Sequence, residues 1–560
     1  MISRERALAE LTGGPFDVLV VGGGITGAGV ALDAASRGYA TAIVERSDWA
    51  AGTSSRSSKM VHGGLRYLES FDLGLVREAL LERQLMVQLA PHLVYPTPFL
   101  VPSFDDERGD LKIGIGLNMY DVMATTRVGR ARKQRSSFEE SESYWAPDRH
   151  RTIEGSEVVE LVPALADRAP TSAYLFYDCQ TDDARLVLTV LGEAERFGAV
   201  MANGVDVVDL LEKDGRAVGA RCREGDTGEE FEVRAENVVN ATGVWADQLR
   251  PGEIQEASEI PRIAPSRGTH VTVSMEKLDV GTAAAIVPAP GERTIFALPW
   301  YGRALLGTTD NDYDGDLGHV EPASVDIEYI LSAAGDYFGV SLTESDLTGA
   351  YAGVRPLIAT GDPRKSVDIS RHSELYETGS GMLTITGGKL TTWRRMAKEV
   401  VDRLVERDGR EAPCRTAEIP LGMAAGSNDL EVPEALSKRG LPDGAMEQLA
   451  FRYGHAAHDV LAVAAEEPKL AKPVVADRPD LLAEVTVAAR TEQARSVGDF
   501  LLRRSRLAIL AAPELRKRRV VEAVAKVMGS ELGWSRGRVR SEAQAWSEVR
   551  AAEGTDPAAG

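Results

Sequence analysis

Residues 18–21 (VLVV) form an unbroken apolar run, the pattern of a strand buried on both faces. The chain then turns at Gly22, Gly24 and Gly27, continues through small and apolar residues as a helix, and enters a second apolar strand that closes at Glu45. Two more apolar strands recur downstream. One lies in "ENVVNATGVWADQL" (236–249) and ends at Ala241, Thr242 and Gly243. The other, 382–386, turns at Gly387 and Gly388 into a segment whose apolar positions Trp393, Met396, Ala397, Val400, Val401 and Leu404 recur at helical spacing. From about 406 the pattern is helical, broken near Pro468, Pro473 and Pro479, and predicts a C-terminal helical domain. The closing "AAEGTDPAAG" (551–560) is expected to be disordered. Between the strands, 96–171 and 261–340 are left to build a second unit, expected as a sheet roofing the first.

At 560 residues the chain exceeds what one core organises, so about three structural units are expected. A content of 43 % hydrophobic and 27 % charged residues is that of an ordinary soluble protein, and the alternation of apolar strands and amphipathic helices makes it α/β. Its 85 acids against 64 Lys and Arg give a net charge of −21, which argues against nucleic-acid binding, because phosphate backbones need a basic surface. Cys179, Cys222 and Cys414 are widely spaced, without a CxxC, so neither a disulfide framework nor a metal site is expected and a reducing, cytoplasmic location fits. The first 16 residues lack an apolar signal core and no long uninterrupted apolar span follows, so the expectation is neither secretion nor membrane crossing. Contact with a membrane surface stays open.

Strand, glycine turn, helix and acid-terminated strand together form a dinucleotide-binding βαβ unit. Gly22 permits the tight turn, Gly24 lets backbone approach a pyrophosphate, Gly27 lets helix and strand pack, and Glu45 stands where ribose hydroxyls would sit. The helix N-terminus faces the phosphates. The segment after Gly388 either places a helix N-terminus against a reduced, anionic ring or is a plain packing unit. Against the acidic background, "SSRSSKMVHGGLRYLES" (54–70) gathers Arg56, Lys59, His62 and Arg66 with only Glu69 opposed, so an anion site is local there.

The stretches "VVGGGITGAGVALDAASRG", "TSSRSSKMVHGGLRYLE", "DDARLVL", "VNATGVWA", "GTTD", "GVRPL" and "GGKLTTWR" resemble the FAD-dependent glycerol-3-phosphate dehydrogenases of the aerobic respiratory type, within the glycine-oxidase-like flavoproteins. The resemblance runs from about residue 17 to 395, and the helical tail has the family's layout. It implies a discontinuous FAD-binding, Rossmann-like domain of the glycine-oxidase and glutathione-reductase kind (17–95, 172–260 and 341–405) behind an N-terminal extension (1–16). An α+β substrate domain (96–171 and 261–340) and a C-terminal helical domain (406–550) complete it. It also implies oxidation of sn-glycerol 3-phosphate to dihydroxyacetone phosphate, with electrons passed to a membrane quinone. Besides the glycine turn and Glu45, FAD contacts then fall to Ser54, Ser55, Ser57, Ser58, Lys59, His62, Gly63 and Gly64. The later turns add Ala241, Thr242, Gly243, Gly387, Gly388, Lys389, Leu390 and Thr391.

Oxidising a secondary alcohol with a flavin needs a base and a fixed geometry. His270 in "PSRGTHVTV" matches a histidine near substrate in the family and suits proton transfer near neutral pH; His62 is its rival. A phosphate dianion asks for several cations, and Arg66, Arg355 and Lys389 form the expected clamp, with Arg371 a weaker fourth. Tyr67, Thr308, Thr309 and Asp310 are expected to line the pocket, unless Asp310 only orients a neighbour. No metal is required. A quinone acceptor implies a peripheral site on the inner face of the cell membrane. There the apolar stretch 111–124, followed by Arg127, Arg130, Arg132, Lys133 and Arg135, is either a docking surface or a solvated basic loop. A homodimer stays open as the assembly. Competing readings are an oxidase using oxygen, a glycine-oxidase-like amine oxidoreductase, for which three or four cations are in excess, and a non-catalytic flavin-binding protein.

Overall fold

The apolar run at 18–21 lies inside strand Phe16–Val21, flanked in parallel by Glu230–Asn240 on one side and Thr41–Glu45 on the other. Leu383–Gly387 and Val200–Asn203 extend this parallel core outward. Ser373–Glu377 joins one edge antiparallel, and Val205–Lys213 with Arg216–Glu224 fold as a meander onto the start of Glu230–Asn240. The protein is represented by a computed structural model that describes residues 3–64, 73–104, 111–125, 149–249, 262–291, 293–359, 373–437 and 440–559.

Helices Ile25–Ser36, Asp183–Arg196 and Trp393–Asp408 cover one face of the parallel sheet, and their small residues set the spacing. A Cβ at Gly29 would stand 2.6 Å from the Trp393 ring, so the two helices approach only because that position carries none. All six apolar positions of the 393–404 pattern are buried. On the other face, helix Arg4–Thr12 buries Ala7 and Leu11, and Arg4 reaches Glu224 at 2.6 Å, so this part of the N-terminal extension is packed onto the sheet.

Among the described residues the second sheet has ten strands. Arg262–Ser274 pairs with Leu347–Ala359 along nearly its whole length and with Arg303–Gly307, while Tyr95–Ser103 pairs with Ser172–Gln180. The division expected from sequence shifts here. Residues 172–180 and 347–359, assigned to the cofactor unit, are strands of the second sheet, because an apolar pattern marks a strand but not its partner. Helix Ser324–Phe338 packs over this sheet.

Helices Ala445–Tyr453, Ala457–Glu466, Leu482–Thr491, Arg518–Glu531 and Arg536–Ala552 enclose two apolar clusters, one around Leu449 and Leu461, one around Phe500, Met528 and Trp546. The disorder expected at 551–560 is corrected over its described part. Thr555 is buried and its carbonyl accepts from Ala350 N at 3.0 Å, and Asp556 takes two bonds from Arg516 at 2.6 and 2.7 Å. Composition made this tail look unable to pack; ion pairs and backbone bonds to other elements hold it instead. No helix among the described residues is long and apolar enough to cross a membrane.

Candidate active site

The turns after Phe16–Val21 and Glu230–Asn240 meet at the ends of the two strands. A Cβ at Gly22 (φ 112°) would lie 2.6 Å from the Ala241 carbonyl oxygen, and one at Gly27 would lie 1.9 Å from the Gly22 carbonyl oxygen. Neither contact can be relieved by a side-chain rotation, so both positions need glycine. Ile25 N, at the start of its helix, donates to Ser54 Oγ at 2.9 Å, which ties the glycine turn to the serine-rich loop. The Glu45 carboxylate accepts from Gly23 N at 2.7 Å and Ser47 N at 2.8 Å, and burial pushes its pKa up. Asn240 accepts from the Thr242 hydroxyl at 2.7 Å and fixes the second turn. A cavity of about 640 Å³ opens over these groups and runs from Glu45 past Gly22, Gly24 and Gly243 to Gly387 and Gly388.

A second cavity of about 220 Å³ adjoins it, with Ile25, Ser54, Arg56 and Lys389 on the walls of both. Ser57, Ser58, His62, His270, Arg355 and Thr391 line the rest of interest. His270 sits mid-strand and is 3 % exposed. Its Nε2 is 2.9 Å from Ser58 Oγ, and its ring stacks on Tyr351, its partner in the strand register, at 4.8 Å and 6°. A Cβ at Gly307 would come within 2.5 Å of the imidazole, so glycine there makes the ring's place. Burial first, then the cations of Lys59 and Arg355, hold the His270 pKa well below the usual histidine range. Both effects favour the uncharged imidazole.

Among the described residues, Arg355 is aimed by Asp310 at 3.2 Å, the Thr308 hydroxyl at 3.3 Å and the Thr309 carbonyl at 3.1 Å. Ser266 also bonds Asp310, which places that carboxylate as an orienting group for the guanidinium. Gly268 leaves the space Arg355 occupies, since a Cβ there would be 2.6 Å from Nη2. The backbone of His62 exchanges bonds with the Thr391 hydroxyl, His62 N at 3.2 Å and His62 O at 3.3 Å, joining the serine-rich loop to the turn Leu390–Thr392.

Other predicted residues sit behind these walls. Lys59 (φ 60°) is fully buried; its ammonium donates to Ser55 O at 2.7 Å and Asp183 at 2.8 Å and lies 4.5 Å from the Tyr351 ring centre. Asp183 also accepts from Ser57 N, the Ser57 hydroxyl and Arg506, so loop 54–59 is pinned from behind. Burial and then Arg506 pull the Lys59 pKa down to about 7. Gly63 N donates to the Tyr120 hydroxyl at 2.9 Å, and Gly64 (φ 78°) follows it. Arg66, Tyr67, Arg371 and the cations of 127–135 lie outside the described residues.

Sequence reasoning missed Tyr351, Asp183, Arg506 and the pair Arg56–Glu553, joined at 2.8 Å. Arg56 carried a signal as one of the cations gathered at 54–70, though not its partner, and Asp183 as one acid of "DDARLVL"; Asp182 caps the helix that follows, accepting from Arg185 N at 3.2 Å.

Backbone approach at the glycine turns, a carboxylate at the end of the second strand and a long cavity between them fit a dinucleotide. Over residues 17–394 the chain matches the family model described as FAD dependent oxidoreductase, and over 414–539 that of the C-terminal domain of alpha-glycerophosphate oxidase. It is 38 % identical over 535 residues to glycerol-3-phosphate dehydrogenase 2 of Mycobacterium tuberculosis, covering 94 % of this chain and 86 % of that protein. It is 34 % identical over 522 residues to the aerobic glycerol-3-phosphate dehydrogenase of Bacillus subtilis, covering 90 % and 89 %. The X-ray structure of the glycerol-3-phosphate dehydrogenase from Bacillus halodurans complexed with FAD matches with a TM-score of 0.75 at 28 % identity, covering 98 % of this chain and 97 % of that one. FAD is thus the cofactor, and the chain belongs to the family of FAD-dependent glycerol-3-phosphate dehydrogenases.

Proposed function

We propose that the protein oxidises sn-glycerol 3-phosphate to dihydroxyacetone phosphate and passes the electrons to a membrane quinone. One observation carries this reading: a buried His270, its uncharged form favoured, shares a cavity of about 220 Å³ with Arg355 and Lys389, and that cavity opens onto the FAD cavity. FAD, when bound, supplies the acceptor for the hydride from substrate C2. His270 takes the hydroxyl proton of C2, with Ser58 fixing its Nε2 and Tyr351 its ring plane. Arg355, aimed by Asp310 and Thr308, binds the phosphate together with Lys389, and Arg66, Tyr67 and Arg371 are assigned to the same clamp. A dianion against Arg355 offsets one of the two cations that depress His270, so substrate binding itself strengthens the base. His62 is the alternative base.

A quinone acceptor requires contact with a bilayer. Helix Leu111–Thr125 leaves Ile115 and Val122 more than half exposed, and Arg127, Arg130, Arg132, Lys133 and Arg135 follow it in sequence. Apolar side chains and several cations, each worth about 1 kcal/mol near an anionic surface, support peripheral docking on the inner face. Neutralising the five cations then releases the protein from anionic vesicles; unchanged partition refutes the docking surface. A second reading, an oxidase using oxygen, draws on the alpha-glycerophosphate oxidase description of the C-terminal match.

Anaerobic addition of sn-glycerol 3-phosphate to the yellow protein separates these readings. Bleaching of the flavin bands supports the substrate, and a yellow protein that fails to bleach rejects it. Slow reoxidation in air with rapid reoxidation by a quinone analogue identifies the dehydrogenase, and rapid reoxidation in air identifies the oxidase.

A further inference from the structure

Arg56 lies in the serine-rich loop and lines both cavities. Its backbone is pressed against Gly353, where a Cβ would stand 2.6 Å from Arg56 O and 2.7 Å from Arg56 Cβ. Its guanidinium ends on Glu553, at 2.8 Å and 3.0 Å from the two carboxylate oxygens. Both side chains are about one-tenth exposed. Glu553 comes from the far end of the chain, just after helix Arg536–Ala552, and it too lines the larger cavity. The tail holds it in place: Thr555 O takes the Ala350 N–H, Asp556 is bound by Arg516, and Gly554 (φ 57°) fits where a Cβ would press within 2.7 Å of Pro322 Cδ. His319 Nδ1, 3.2 Å away, is a second partner of the Glu553 carboxylate.

We propose that Glu553 is a positioning residue of the FAD site: it fixes Arg56 at the junction of the two cavities and thereby sets how tightly the flavin is held. An arginine side chain carries considerable rotamer entropy, and a buried carboxylate opposite it removes that freedom before the cofactor arrives. The cation then stands ready beside a cavity that must receive a pyrophosphate, with the Glu553 charge bound to it. The same loop carries Ser54, bonded to Ile25 N, and Ser58, bonded to His270, so freeing Arg56 loosens the groups that face the cofactor. The inference rests on FAD binding in this cavity and is independent of the identity of the substrate.

The test needs no substrate. The purified yellow holoenzyme is diluted, and FAD release is followed by the rise in free-flavin fluorescence. Glu553→Gln and Arg56→Gln each speed release, on the order of tenfold as for loss of a hydrogen bond between charged groups. The double variant releases FAD no faster than either single one, because both break one pair. Glu553→Asp, which keeps the charge, recovers part of the parent rate and remains measurable should the Gln variant fold poorly. A release rate within twofold of the parent in Arg56→Gln, or effects that add in the double variant, overturns the proposal. A parent protein that reconstitutes no FAD would instead reject the cofactor reading itself.

Discussion

His270 is held from three sides: Ser58 at Nε2, the Tyr351 face beneath the ring, and the open Cβ position of Gly307 beside it. His270→Asn keeps much of that packing and removes the proposed proton acceptor, so kcat should fall by on the order of 10²- to 10⁴-fold while the flavin spectrum persists. Its pKa lies below the ordinary 6.5, so between those two values the unfolded chain binds a proton that the folded chain does not, and this group erodes stability as pH falls through 6.5. Burial and Arg506 bring the Lys59 pKa down to about 7, so Lys59 is expected to contribute an inflection to the rate profile in the neutral range. Profiles of the two variants check this: the inflection survives in His270→Asn and disappears in Lys59→Met. Arg355→Ala should lower kcat/KM for a phosphate substrate by on the order of 10- to 100-fold with FAD still bound; a colourless variant would contradict its placement on the substrate side. Both residues were singled out in the sequence, as a base and a phosphate clamp, and the structure brings them to one cavity. The shift of His270 was not legible there, because it comes from two cations remote in sequence, Lys59 and Arg355, and from burial that only the fold creates.

At the scale of elements, four strands of the parallel core were readable, because each carries a short apolar run that leads into a glycine turn or closes on an acid, whereas Val200–Asn203 was not picked out. The second sheet was readable only as a region. Its central pairing joins residues near 270 to residues near 351, and register His270 to Tyr351 is set by contacts that no local pattern announces. The same pairing puts Gly268 opposite Gly353, two glycines that make room for Arg355 and Arg56 respectively. Gly268→Ala would drive a Cβ to 2.6 Å from Arg355 Nη2 and from Thr308 Oγ1, and side-chain ends can move where backbone cannot. The expected result is a raised KM with an unchanged FAD spectrum. Gly27→Ala meets backbone instead, 1.9 Å from Gly22 O, and should yield a protein that binds no FAD or fails to fold. Absorbance of the purified variants at the flavin bands, with KM for the first, distinguishes a substrate-side strand from a cofactor-side turn.

Across the whole molecule, buried ion pairs join the C-terminal helices to the cofactor unit. Asp48, 3 % exposed, follows the strand Thr41–Glu45 and accepts from Arg504 at 2.7 and 2.8 Å and from Arg503 at 2.5 Å; Arg185 pairs with Glu492 nearby. Asp48 and Arg503 also stand in the wall of the large cavity, so the helical domain helps to form that wall. Burial alone would raise the Asp48 pKa, but Arg504 and Arg503 outweigh it and bring it down to about 2. A depressed carboxylate gives stability that is fully present above its ordinary 3.8 and lost as pH falls from 3.8 through about 2. Asp48→Asn removes that charge at every pH and leaves two buried guanidinium groups without their shared carboxylate, at a cost of about 3–5 kcal/mol. Calorimetry at pH 7 should show a lowered melting temperature, and limited proteolysis should cut first in the C-terminal helices as they separate from the cofactor unit. The acid limb should respond in the opposite sense, because a variant without this carboxylate has nothing to lose between pH 3.8 and 2, and the gap between the two proteins narrows there. An unchanged melting temperature at neutral pH would mean that the Asp48 cluster does not hold the two units together.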